Sequence, residues 1–171
     1  MTKLVMPKID RKLILKKAEI VKNIKKIIKS ENILDHEDQT RPFETDGLSA
    51  YKQKPLIVVF PENTMEVSRV LSYCNRERIK VVPRGAGTGL SGGALPLEDS
   101  ILLCLGKFNK ILDIDYKNRC VVAQPGVTNL SITRAVEDEG FYYAPDPSSQ
   151  IACSIGGNVA ENSGGVHSLK Y

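Results

Sequence analysis

Long apolar runs are missing from the 171-residue sequence, and so is the pattern of a secretory signal. No run approaches the roughly 20 residues that a helix needs to cross a bilayer. The first twelve residues, MTKLVMPKIDRK, lack both an apolar core and a small-residue cleavage site. These absences predict an intracellular, cytoplasmic protein.

Motifs for metals and for thiol redox chemistry are also missing. The sequence has no CxxC pair, no His at zinc-finger spacing, no paired carboxylates and no nucleophile triad. No metal site is therefore predicted. Apolar neighbours predict that all four cysteines are buried thiols in a reducing compartment, namely Cys74, Cys104, Cys120 and Cys153.

The net charge of +4 is distributed unevenly, because residues 1–30 hold ten Lys or Arg and only two acids. Apolar residues recur there at helical spacing, which predicts an amphipathic helix with Leu13, Ile20, Val21, Ile24, Ile27 and Ile28 on one face. Its lysines would contact an anionic membrane surface or an acidic partner, or would simply be solvated while the helix packs on the protein. The absence of aromatic anchors favours packing. An aromatic content of 6% disfavours nucleic acid as a partner.

Beyond a polar connector at 30–47, predicted to be a loop, short strands and helices alternate. Residues 54–60 predict a buried strand, and 61–79 a helix that begins at Asn63 or Thr64 ahead of Glu66. Residues 80–83 predict a second strand, paired in parallel with the first through a right-handed crossover. The later elements are predicted to be three strands of a more antiparallel section (ILLCL, ILDID and CVVAQPG) and a helix over 130–139. The apolar face of the helix over 61–79 is predicted to comprise Val67, Val70, Leu71 and Cys74. The fold class is therefore α+β.

Glycine is concentrated first in VVPRGAGTGLSGGALP, residues 81–96, where five of the nine residues from Gly85 to Gly93 are glycine. A glycine-rich loop that follows a strand typically binds phosphate, because bare backbone N–H groups converge on the oxygens. The string from Gly87 to Gly92 also matches GxGxxG, yet a dinucleotide fold requires a helix directly after it, and Pro96 follows instead. This disfavours NAD on a Rossmann fold. No Walker A motif is present.

A second glycine-rich segment, APDPSSQIACSIGGNVAENSGG, covers residues 144–165 and contains two Gly-Gly pairs. Small residues allow the backbone to lie against a large flat ligand, and polar side chains are available for hydrogen bonds: Ser148, Ser149, Ser154, Asn158 and Asn162. The alternative is that both segments are flexible surface loops. Two such segments, each joined to apolar strands, favour one extended ligand held from two sides.

Several stretches resemble the FAD-binding domain of the vanillyl-alcohol-oxidase, or PCMH-type, flavoproteins: PRGAGTGLSGGALP, QPGV and YYAPDPSSQIACSIGGNVAENSGGVHSLKY. ETDGLSAY and PLIVVFP place the similarity in the branch of the bacterial glycolate oxidase D subunits, and it spans roughly residues 41–171. The resemblance implies a PCMH-type α+β fold with a parallel α/β lobe, an incomplete lobe of antiparallel strands, and FAD extended between them. It divides the chain into a basic helix and connector at 1–47 and an FAD-binding domain at 48–171.

The resemblance also implies which residues contact FAD. Those expected around the diphosphate are Pro83, Arg84, Gly85, Ala86, Gly87, Thr88, Gly89 and Leu90. Those expected to follow the rest of the cofactor are Pro145, Ser148, Ser149, Gly156, Gly157, Asn158 and Asn162. Many family members attach the flavin to a His in the first loop; Thr88 stands there, so non-covalent FAD is expected.

The chemistry implied by the resemblance is oxidation of a small 2-hydroxy acid to the 2-oxo acid, with hydride transfer to flavin N5. Electrons would then pass to an acceptor other than a nicotinamide, through partner subunits that include an iron–sulfur subunit. His167 is a weak candidate for a catalytic residue, with a plain loop histidine as the alternative, and no role is expected for His36. The sequence stops at Tyr171, where the family pattern continues into a cap domain. The alternative function is therefore a truncated, non-catalytic remnant or binding module without turnover on its own.

Overall fold

The structure is a computed structural model that describes residues 7–168, and this part of the chain forms two compact units. The first unit comprises residues 7–45, 49–82 and 95–103, and the second comprises 46–48, 83–94 and 104–168. The α-helices are α1 (Arg11–Leu15), α2 (Lys17–Ile24), α3 (Glu37–Thr40), α4 (Thr64–Arg76), α5 (Asn129–Val136) and α6 (Ile155–Ala160). The strands are β1 (Ile33–Leu34), β2 (Ile57–Val59), β3 (Lys80–Arg84), β4 (Ser100–Cys104), β5 (Ile111–Asp115) and β6 (Cys120–Ala123).

A four-stranded sheet in the order β1-β2-β4-β3 organises the first unit. β2 pairs in parallel with β4, with Val58 opposite Leu102, and antiparallel with β1, with Ile33 opposite Val59. Apart from Ser100, the central strands are apolar, and Val58 and Leu102 are completely buried. Such continuous apolar runs are typical of strands that are covered on both faces.

Three sequence predictions about this sheet are corrected. The connector at 30–47 is not a loop, since it contains β1, α3 and two short 3₁₀ turns. β2 and β3 are not neighbours, because β4 lies between them. ILLCL contributes to this sheet and pairs in parallel, so it is not part of an antiparallel section. The sequence marks where strands occur but carries no signal for which strand inserts between two others.

α4 begins as its capping signature predicts. Asn63 Oδ1 accepts a hydrogen bond from the Glu66 backbone N–H at 2.9 Å, and Glu66 Oε2 accepts one from the Glu62 N–H at 2.8 Å. Val70 and Cys74 are buried as expected, whereas Leu71 is exposed and Tyr73 takes its place in the core. The buried face is therefore rotated slightly from the predicted one.

The basic N-terminal region packs against the rest of the first unit. It is divided into α1 and α2 at Lys16, and Ile20, Val21, Ile24 and Ile28 are buried. Two of its lysines pair with acids on the first unit, at 3.6 Å for Lys25 to Asp35 and 2.8 Å for Lys29 to Glu62. The packing interpretation of this amphipathic region is confirmed.

In the second unit, β5 and β6 form the predicted antiparallel pair. The predicted helix over 130–139 is confirmed as α5, which is capped by Thr128 and followed by a 3₁₀ turn. α6 was not predicted, because its two consecutive glycines, Gly156 and Gly157, are unfavourable in helices. Within residues 7–168, no helix is long and apolar enough to cross a membrane.

Candidate functional site

A cleft of about 800 Å³ lies within the second unit, and the two glycine-rich segments form its walls. The first wall is continuous from Pro83 to Ser91, and the second includes Ser148, Ser149 and most of α6. Pro125 and Leu105 also line the cleft. Ligand clefts in proteins usually have volumes of about 300 to 1,000 Å³, so this one is large enough for an extended cofactor.

The two walls meet where β3 ends and α6 begins. A Cβ added to Gly85 would overlap the Ser154 hydroxyl, so only glycine fits at this strand end. Ser154 is buried and caps α6, since its Oγ accepts a hydrogen bond from the Gly157 N–H at 3.3 Å. The close approach therefore joins the first glycine loop directly to the start of the helix that carries the second glycine pair.

Arg84 places a positive charge on the first wall. Its guanidinium lies against Gly87, where a side chain would overlap it, and Gly87 adopts a left-handed backbone with φ of 73°. Glycine adopts this conformation without strain. The first wall thus combines a cation with a stretch of bare backbone, which is the chemistry that binds phosphate oxygens.

The second wall contains an unused hydrogen-bond donor. Asn158 lines the cleft and is buried, yet within residues 7–168 its Nδ2 has no acceptor. A buried donor without a partner costs roughly 1–3 kcal/mol. This donor, the serine hydroxyls and the glycine backbone fit a ligand that is flat and polar at its edges.

The predicted site residues are mostly brought together. All eight from Pro83 to Leu90 line the cleft, together with Ser148, Ser149, Gly156, Gly157 and Asn158.

Pro145, Asn162 and His167 are not among the lining residues. Pro145 accepts a hydrogen bond from the Asn129 amide at 2.9 Å, and Asn162 is exposed with a left-handed φ of 52°. His167 is exposed, with its Nδ1 3.1 Å from Asp146 Oδ2.

The sequence analysis missed three polar residues of the cleft as site candidates, namely Ser91, Glu161 and Ser163. Ser91 and Glu161 both line it, and the Ser91 hydroxyl donates a hydrogen bond to Glu161 Oε2 at 2.6 Å. A signal for Glu161 was available, since it is the one charged residue in the otherwise uncharged stretch from 147 to 165. Nothing in the sequence indicates its partner, which lies seventy residues earlier.

The Rossmann alternative is not supported by the loop geometry. Between β3 and β4 the described chain forms bends and turns without a helix, so the glycine loop does not lead into a helix N-terminus. A dinucleotide fingerprint requires that helix to face the diphosphate.

Comparison with known families decides the assignment, since the family described as "FAD binding domain" matches residues 55–171. The chain belongs to this FAD-binding domain family. FAD is accordingly the cofactor of the domain, and the cleft chemistry fits it: a cation and bare backbone on one wall, small polar groups on the other.

Among curated proteins, this FAD-binding chain is 52% identical over 166 residues to the glycolate oxidase subunit GlcD of Escherichia coli K12. The match covers 97% of this chain and 32% of the relative. The chain thus spans about a third of the length of the curated relative that it matches.

Solved structures confirm the predicted PCMH-type fold. Alkyldihydroxyacetonephosphate synthase superimposes with a TM-score of 0.79 at 22% identity, covering 99% of this chain and 32% of that one. p-Cresol methylhydroxylase with substrate bound superimposes with a TM-score of 0.69 at 23% identity, and the match covers 80% of this chain and 28% of that one. At these identities the likeness concerns the fold alone.

Proposed function

We propose that the cleft of the second unit binds FAD without a covalent bond and serves an oxidoreductase that converts a small 2-hydroxy acid to the 2-oxo acid. The observation that carries the proposal is the convergence of both glycine-rich segments on one cleft inside a domain of the FAD-binding family. Residues 48–171 would form the FAD-binding part, and residues 1–47 an N-terminal extension.

In this proposal the first wall binds the diphosphate. The backbone from Gly85 to Leu90 supplies N–H donors and Arg84 supplies a charge, so the two together neutralise the phosphate oxygens. Thr88 provides no imidazole for a covalent link, which supports non-covalent binding.

The second wall receives the rest of the cofactor. Gly156 and Gly157 line this wall with bare backbone, and the Asn158 amide gains the acceptor that it lacks among the described residues. Pro145 and Asn162, which flank this wall in sequence, remain predicted contacts.

When bound, FAD would supply the acceptor for the hydride of the substrate carbon. A base must remove the hydroxyl proton as the hydride leaves, and the one candidate is His167, which lies outside the cleft lining and has a plain loop histidine as its alternative role. Asp146 Oδ2 lies 3.1 Å from its Nδ1, and a carboxylate on Nδ1 keeps the proton there and leaves Nε2 free to accept another. Binding of FAD without turnover on its own is the alternative, and an assay of 2-oxo acid formation separates the two.

Substrate and partners are proposed from the named relative. GlcD is called a subunit of glycolate oxidase. We therefore propose glycolate as the first substrate to test, with D-lactate second, and further subunits, including an iron–sulfur subunit, as the route for electrons.

The cleft is tested by filling it. At Gly157, which lines the cleft, an added Cβ meets only the Ser154 hydroxyl, at 3.1 Å, so Gly157→Leu adds bulk to this wall and requires a small shift of that hydroxyl. The matched control is Gly106→Leu, since Gly106 has open space around it and does not line the cleft. After incubation with FAD and desalting, the unsubstituted chain and the Gly106 variant are expected to show flavin absorbance, and the Gly157 variant to lose it.

Denaturation supplies the second readout. Release of free FAD from the denatured protein indicates non-covalent binding, whereas flavin that stays with the polypeptide contradicts it. Equal FAD retention by the Gly157 and Gly106 variants would place the cofactor elsewhere and overturn the proposed cleft.

We also propose a peripheral association with the inner face of the membrane, based on the basic N-terminal residues. Lys12, Lys16, Lys22 and Lys26 are exposed, and anionic lipid attracts such clusters. Co-sedimentation with vesicles that contain phosphatidylserine is expected at low salt and is lost when these four lysines are changed to Gln. Equal binding by the four-Gln variant would contradict this proposal.

A further inference from the structure

Glu161 is the one carboxylate among the described residues that line the cleft. Its backbone N–H donates to the Gly157 carbonyl at 2.9 Å, so the residue is fixed as the end of α6. Its side chain reaches across to the other wall, where Oε2 accepts the 2.6 Å hydrogen bond from Ser91.

Two glycines of the first wall make room for this carboxylate. A Cβ placed on Gly89 or on Gly93 would lie 3.0 Å from Glu161 Oε1, closer than most side chains approach. The carboxylate therefore lies against bare backbone on both sides of Ser91. It holds the loop at two places, by the hydrogen bond and by close packing.

An acid in a cleft for a diphosphate requires an explanation, because two anions repel each other. Either Glu161 competes with the diphosphate for the loop, or it holds the loop in shape while the diphosphate binds elsewhere along it. The Ser91 hydroxyl satisfies one carboxylate oxygen, and the carboxylate lies beside Gly89 and Gly93, whereas the Arg84 guanidinium lies beside Gly87. The contacts of Glu161 with the far half of the loop favour the second role.

We propose that Glu161 is a positioning residue for the cofactor site. Through Ser91 it fixes the far half of the glycine loop, Gly89 to Gly93, at the spacing from α6 that FAD needs. A loop so rich in glycine loses much backbone entropy when it becomes ordered, and a bond that orders it beforehand reduces that loss on binding. The inference rests on the proposed FAD cleft.

Four variants test the positioning role: Glu161→Ala, Glu161→Gln, Ser91→Ala and the double variant Ser91→Ala with Glu161→Ala. The Kd of FAD is measured in the full chain by the change in flavin fluorescence. The two single alanine variants are each expected to raise Kd by roughly five- to tenfold, the contribution of about one hydrogen bond. The double variant is expected to be no worse, because both changes remove the same contact.

The glutamine variant separates positioning from charge. Its side-chain carbonyl still accepts a hydrogen bond from Ser91, so Kd is expected to stay within about twofold of the unsubstituted chain. Tighter binding by Glu161→Gln would show that the carboxylate competes with FAD and would overturn the proposal. The control is Glu139→Ala, an exposed acid in the second unit away from the cleft lining, with no expected effect.

Hydrogen exchange measured without FAD tests independently whether Glu161 orders the glycine loop. Backbone amides from 85 to 93 are expected to exchange faster in Glu161→Ala and Ser91→Ala than in Glu161→Gln. Unchanged exchange in both alanine variants would overturn the positioning role even if FAD binds in the cleft. Failure of the unsubstituted chain to bind FAD would instead refute the proposed cleft, while the exchange rates still show whether Glu161 orders the loop.

Discussion

At the scale of single residues, burial divides the four cysteines into two kinds. The prediction that all four are buried is correct for Cys74, Cys104 and Cys153 and wrong for Cys120, which is exposed. Cys120 begins β6, in a two-stranded pair where alternate residues face water. Burial raises the pKa of the Cys74 thiol to about 11. Burial raises the pKa of the Cys104 thiol to about 12, although the positive charge of Arg84 lowers this pKa by a smaller amount.

These differences predict the order of thiol modification. Because the thiolate is the reactive form, an excess of iodoacetamide at pH 8 is expected to label Cys120 rapidly and the other three only after unfolding. Mass spectrometry of peptides measures the order, and Cys120→Ser is expected to remove the fast phase. Rapid labelling of Cys74 or Cys104 in the folded protein would contradict the burial described here.

At the scale of elements, one buried carboxylate connects the start of α1 to β3. Asp99 is completely buried, and its Oδ2 accepts hydrogen bonds from the Lys80 ammonium at 2.8 Å and from the Asp10 N–H at 2.7 Å. Burial alone would raise the pKa of Asp99, but the hydrogen bonds from Lys80 and Asp10 outweigh it, so the pKa lies below the usual value.

A pKa that is lowered by folding stabilises the protein above the pKa of the unfolded state, about 3.9 for Asp. Asp99→Asn is therefore expected to reduce the free energy of unfolding at pH 7 by about 1–3 kcal/mol, since the Lys80 ammonium loses its carboxylate partner. The difference between the two proteins should shrink as the pH falls through 4 and below. Urea unfolding at several pH values measures it, with the exposed Asp138→Asn as control; a deficit that stays constant down to pH 3 would contradict this account.

Local sequence signals predicted some of these elements and missed others. β2 and α4 were predicted because a continuous apolar run and a capping signature are local signals. β1 was missed because two residues, Ile33 and Leu34, show no period, and its pairing with β2 depends on contacts distant in sequence. α6 was missed because its glycine pair obscures a helix that Ser154 and the fold stabilise.

At the scale of the whole molecule, the structure brings the two glycine-rich segments that the sequence singled out to one cleft, and the contacts between its walls had to come from the structure. Glycine spacing reveals that a backbone must remain bare, but it does not reveal what approaches it. Ser154 beside Gly85 and Glu161 beside Gly89 are such approaches, and each joins segments about seventy residues apart. The chain order of the motifs alone could not place them.

Because the cleft is built from such distant segments, a ligand that fills it should stabilise the folded chain against unfolding. Binding to the folded state alone adds about 2.7 kcal/mol to the free energy of unfolding when the ligand is at 100 times its Kd. For a chain of this size that corresponds to a rise in Tm of roughly 5–10 °C. The rise should grow with the logarithm of FAD concentration and be absent in Gly157→Leu, while Gly106→Leu keeps it. Calorimetry at increasing FAD measures the effect, and an equal rise in the Gly157 and Gly106 variants would mean that FAD stabilises the chain through a surface other than this cleft.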